Sequence, residues 1–123
     1  MKNQAYRMAM LFDFYGDLLT DRQKEFYDLY YNEDLSLAEI AENYGISRQG
    51  VRDVIVRAEA TMTEIEDKTH LIRRFHQMQK ELTSIDEAAQ RLLSAAREEK
   101  LTGDLAEQLA EVILENTAKL KQE

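Results

Sequence analysis

Arg48, Gln49, Arg52, Asp53 and Arg57 fall at intervals that place them on the open side of one helix, with Ser47 just ahead of it. Guanidinium groups hydrogen-bond phosphate oxygens and guanine edges, and glutamine and serine reach backbone or base. A helix N-terminus adds a field that favours phosphate. Such chemistry needs a rod held at a fixed tilt, and the flanking residues supply one. Ala41 stands four residues before Gly45, and Val51 follows six later. A small residue lets two short helices cross closely, and a glycine accepts the positive φ of a tight turn. Ile40, Tyr44, Ile46, Val54 and Ile55 fill the apolar positions between. Leu35 to Arg57 therefore reads as a helix-turn-helix whose second helix is the candidate recognition helix.

Composition limits what surrounds it. The chain has 123 residues, no proline, no cysteine and four isolated glycines. Its wealth of Ala, Leu, Glu, Gln, Arg and Met predicts an all-α fold. Disulfides and cysteine-based metal or redox sites are excluded. No apolar run reaches the roughly 18 residues of a membrane span. The first 17 residues lack the long apolar core of a secretory signal, so a cytoplasmic location is expected. The net charge is −8, which argues against broad coating by nucleic acid. Residues 1–70 carry −6 and residues 71–123 carry −2. Ser47–Arg57 runs against this background with a net charge of +2.

The remaining elements follow from apolar spacing and caps. A first helix is expected from Lys2 to about Tyr15, broken at Gly16-Asp17. Thr20 to Gln23 has the form of a capping box, as does Ser36 to Glu39. Ser47 is the expected N-cap of the recognition helix, which runs on to about Lys68. From His70 the helical period continues through Leu82. Thr83-Ser84 either interrupts it, because Ser84 to Glu87 is a further capping-box pattern, or lies inside one helix. Gly103 is expected to end a helix and Asp104 to start the last one. The organisation expected is a helix-turn-helix domain over 1–68 and an amphipathic extension over 69–123. Such stripes fold back or pair with another chain, so a homo-oligomer is expected, with a dimer favoured.

The run LLTDRQKEFYDLYYNEDLSLAEIAENYGISRQGVRDVIVRAEATMTEIEDKTHL resembles the promoter-reading region 4 of bacterial sigma factors. That region also joins an L-T-x-x-Q helix to an S-x-x-E-I-A…S-x-x-x-V helix-turn-helix. The segments YYNEDLSLAEIAE, SRQGV and RAE resemble more closely the small bacterial YlxM family. The resemblance spans Leu18 to Phe75 well and the remainder loosely. It implies a sigma-region-4-like helix-turn-helix bundle without a wing, plus a helical tail. It also implies an accessory or regulatory role in the signal recognition particle pathway. Gly50 departs from the pattern, which has alanine there.

Other candidates have simpler explanations. Tyr27, Tyr30, Tyr31 and Tyr44 have the chemistry to stack on RNA bases, but their helical spacing beside apolar residues points to core packing. His70 and His76 face different sides of a helix, and Asp13, Asp17 and Asp21 match no calcium loop. Arg73 and Arg74, with Lys68 and Lys80, form a modest basic patch of the kind an amphipathic helix carries. No nucleophile–base pair or phosphate-cradling loop is visible, so no enzyme and no cofactor are expected. DNA or RNA is the expected partner, through Ser47, Arg48, Gln49, Arg52, Asp53 and Arg57. The competing class is an adaptor that contacts signal recognition particle components and uses the helix-turn-helix only as scaffold.

Overall fold

The computed structural model describes residues 5–122. Among them the chain is all-α, with helices α1 (Ala5–Tyr15), α2 (Asp21–Tyr31), α3 (Leu37–Tyr44), α4 (Arg48–Thr69), α5 (Leu71–Arg97) and α6 (Gly103–Lys121). A single 3-10 turn, Gly16–Leu18, follows α1. The expected start of the first helix at Lys2 lies outside the described residues. The chain divides into two compact units, one ending at Ile72 and one starting at Arg73. None of the described helices is long and apolar enough to cross a membrane.

Caps set the helix starts of the first unit. Thr20 Oγ1 accepts from the Gln23 N–H at 3.2 Å while the Gln23 side chain accepts from Thr20 N–H at 3.1 Å. Ser36 and Glu39 form the same reciprocal pair at 3.0 and 3.2 Å. Each satisfies two backbone donors that a helix start leaves open. The core then forms where the four helices meet. Leu11, Phe26, Tyr27, Ile40, Val51, Ile55 and Met62 are almost wholly buried, each such side chain contributing about 1.5–3 kcal/mol. Phe12 and Tyr27 stack at 5.0 Å, and Tyr27 donates to the Met8 carbonyl at 2.6 Å. Burial at Tyr27 and Tyr30 removes both as base-stacking platforms.

The second unit pairs α5 with α6, and Ala88, Leu109 and Val112 line one crevice in it. At Thr83-Ser84 the structure decides between the two alternatives, and at Gly103 it departs from expectation. Thr83-Ser84 does not break the helix: α5 is continuous over 27 residues. Gly103 opens α6 rather than closing the helix before it. Glu99 takes the left-handed conformation instead, at φ 58°. Thr102 then caps α6, accepting from Leu105 N–H at 3.1 Å.

Glu81 is the one buried charged residue among those described, 4% exposed. Its Oε1 accepts from Gln77 at 3.2 Å, and its Oε2 has no partner. A buried oxygen without a hydrogen bond costs about 1–3 kcal/mol. Glu81→Met keeps the volume and removes that cost. Urea unfolding should show the variant more stable than the parent by about 1–3 kcal/mol.

Candidate nucleic-acid interface

The elbow between α3 and α4 is built as its sequence dictates. Gly45 sits at φ 65°, ψ 33°, and its N–H returns to the Ala41 carbonyl. Ile46 N–H reaches the same carbonyl at 3.1 Å. Ala41 is 6% exposed at the crossing, where a larger side chain has no room. Ser47 then caps α4, its Oγ accepting from Gly50 N–H at 2.9 Å. A Cβ at position 50 would meet that Oγ at 3.2 Å. Glycine thus keeps the cap uncrowded.

Val51, Ile55, Ala58 and Met62 bury the inner face of α4 completely. The same 3.6-residue period turns Arg48, Gln49, Arg52, Asp53 and Arg57 outward, and all five are exposed. The structure therefore brings the six candidate residues together over the first three turns of one helix. They are not equivalent. Ser47 is committed to the cap, with only its hydroxyl proton left to donate. Gln49 donates to Asp53 at 3.0 Å, which leaves its amide oxygen to accept and ties the one acid on this face.

The charges of α4 divide sharply. Asp53, Glu59, Glu64 and Glu66 each hold a partner within the chain. Glu59 accepts from Tyr31, Glu64 pairs with Lys68 at 3.0 Å, and Glu66 accepts from Tyr15 at 2.5 Å and from Ile72 N–H at 2.9 Å. Arg48, Arg52 and Arg57 hold no ion pair among the described residues. No acid stands in the first turn of α4, whereas α2, α3 and α6 each carry one. The positive end of this helix is not offset locally. The outer face of α3 is acidic by contrast, with Glu39 and Glu42 exposed, so of the two helices of the elbow α4 is the one that suits phosphate.

Sequence reasoning missed the tyrosine–carboxylate bonds that fix the tilt of α4. Tyr15, in α1, and Tyr31, in α2, both anchor to acids of α4. Burial, then the hydrogen bond to Glu66, pushes the Tyr15 hydroxyl above its ordinary range. Burial and Glu59 do the same to Tyr31. Tyr44 donates to Glu25 and packs edge-on against Phe26 at 4.8 Å, which holds the end of α3 on α2. These pairs are 19 to 51 residues apart, beyond any local signal.

Comparison with known proteins agrees with this architecture. Residues 2–105 match the model of a family described as "Putative helix-turn-helix protein, YlxM / p13 like". A UPF0122 protein of Bacillus velezensis is 46% identical over 96 residues, covering 78% of this chain and 84% of the relative. One from Desulforamulus reducens is 49% identical over 82 residues, covering 67% and 70%. One from Caldanaerobacter subterraneus is 44% identical over 87 residues, covering 71% and 74%. A family match over most of the chain, together with an elbow and recognition helix of the expected form, means that the chain belongs to the UPF0122 family of YlxM/p13-like helix-turn-helix proteins.

Proposed function

We propose that the chain is a cytoplasmic, non-enzymatic regulatory protein that docks α4 in the major groove of DNA. The observation that carries this reading is the division of charge on α4: its arginines are exposed and unpaired while most of its acids are occupied. Arg48, Arg52 and Arg57 contact phosphates or guanine, Gln49 accepts or donates at a base edge, and Ser47 donates to the backbone. Asp53 orients Gln49. DNA is favoured over RNA on geometry, because the B-form major groove admits a helix and the A-form one is too narrow. The overall charge of −8 keeps affinity modest and restricts contact to this face. A homodimer sets two such helices on one duplex, with half-sites about 34 Å apart or a multiple of that.

The test is a salt titration of binding to DNA selected from a random pool. Arg48→Ala with Arg52→Ala should reduce the slope of log affinity against log salt by about 2, since each lost phosphate contact removes about 0.9. Unchanged affinity and slope would reject the reading. The exposed acidic surface of α3 favours a second reading, an adaptor for the signal recognition particle. Retention of the particle's GTPase or RNA on the immobilised chain, undiminished by the arginine substitutions, supports that one.

A further inference from the structure

From Leu71 to Ala96, apolar residues of α5 recur at alternating steps of four and three, with Met78, Leu82, Ile85 and Ala89 at the centre. This heptad spacing keeps one apolar seam facing a partner helix. Within the second unit most of the seam is open, Ile85 and Leu92 being half-buried. Met78 is 39% and Leu82 46% exposed, and Ala89 and Ala96 are exposed too. Glu81 and Ala88, which α5 buries in the second unit, lie on the neighbouring line.

We propose that this seam binds the same seam of a second copy, with the two α5 helices antiparallel about an axis between Thr83 and Ser84. The proposal deepens the homodimer reading above and is independent of what α4 binds. The first argument is self-complementarity. In this register Leu82 lies opposite Ile85, Met78 opposite Ala89, and Phe75 opposite Leu92. At Met78 a long side chain thus meets a short one, as close packing requires. A parallel pair in register sets Ala89 against Ala89 and leaves a gap.

The second argument is charge. Residues 71–83 carry a net charge of +2, and residues 84–96 carry −1. Antiparallel pairing lays each half on its opposite, and parallel pairing lays like on like. The third argument is area, which sets the strength. A helix of 27 residues is about 40 Å long, and a seam of helix width, about 10 Å, covers roughly 400 Å². That is about half of what each partner buries in a standard interface, so the dimer forms reversibly as concentration rises.

Sedimentation of the full chain up to about 0.1 mM should therefore show a monomer–dimer equilibrium. Met78→Glu with Leu82→Glu alters exposed positions only, and should give a monomer with unchanged helical circular dichroism. Because the natural chain has no cysteine, orientation can be read directly. Met78→Cys mixed with Ala89→Cys should be joined by a short thiol crosslinker, while Ala89→Cys alone should not. A monomer at every concentration overturns the proposal, as does a dimer that survives the two glutamates. Self-crosslinking of Ala89→Cys overturns the antiparallel arrangement. A monomer in which Leu82→Cys resists alkylation on dilution means that the chain covers its own seam, and also overturns it. Arg48→Ala with Arg52→Ala should leave sedimentation unchanged, which separates failure of this proposal from failure of the DNA reading.

Discussion

Raising the pH through 10 should unfold the N-terminal unit steeply. Tyr15, Tyr27 and Tyr31 all have hydroxyls held above the ordinary tyrosine range, chiefly by burial. A group raised in the folded state favours folding while it stays protonated. Its contribution is whole below the unfolded value, about 10. It is lost as pH climbs from there towards the folded value, because the unfolded chain releases the proton first. A buried tyrosine that stays protonated removes up to about 1.4 kcal/mol per pH unit above 10, and a partly solvated one such as Tyr31 removes less. Against a total stability of about 5–15 kcal/mol, losses of this kind should unfold the first unit in strong alkali. Circular dichroism and tyrosinate absorbance should change together in one cooperative step. Tyr27→Phe keeps the ring stacked on Phe12 and loses the bond to the Met8 carbonyl. It should cost about 1 kcal/mol at neutral pH and flatten the alkaline slope. Gradual tyrosinate formation without unfolding would mean that these hydroxyls are not held as the structure has them.

The tyrosines also mark where sequence reasoning stops. Thr20, Ser36, Gly45 and Ser47 act within four residues of the backbone they satisfy, so their roles are legible locally. The outward flank of α4 is legible for the same reason, since burial of Val51 and Ile55 dictates where Arg48 and Arg52 point. Tyr31 and Glu59 are 28 residues apart, and nothing near either one names the other. Within α5 and at its end, local signals compete. Ser84 has the pattern of a helix start, but Leu82 and Ile85 keep the helical period across it, and a new start would forfeit hydrogen bonds already made. Gly103 suggests a helix end, yet Glu99 enters the left-handed region first. His70 does likewise between α4 and α5, at φ 55°. A sequence scan looks for glycine at such corners because other residues pay strain there. It overlooks the acid or histidine that takes the corner instead.

Phe26→Ala should be the most damaging single truncation, and its effect on DNA binding should be indirect. Phe26 is fully buried where α2 meets α4, with Tyr44 edge-on at 4.8 Å and the Arg22 guanidinium 5.4 Å over its ring. Removing a buried phenyl ring costs about 3–5 kcal/mol, which corresponds to a fall in Tm of roughly 10–25 °C. Loss of the ring also frees Tyr44 and so the end of α3, the helix that sets the tilt of α4 through Ala41 and Gly45. Leu114→Ala is the control: Leu114 is 67% exposed, and its truncation should change stability by no more than about 0.5 kcal/mol. Arg48→Ala with Arg52→Ala should weaken binding at an unchanged Tm. Phe26→Ala should weaken binding both through the unfolded fraction and through the loosened end of α3, and should recover it in part on cooling below the lowered Tm. If Phe26→Ala instead leaves Tm unaltered, the α2–α4 core is not what holds the recognition helix out.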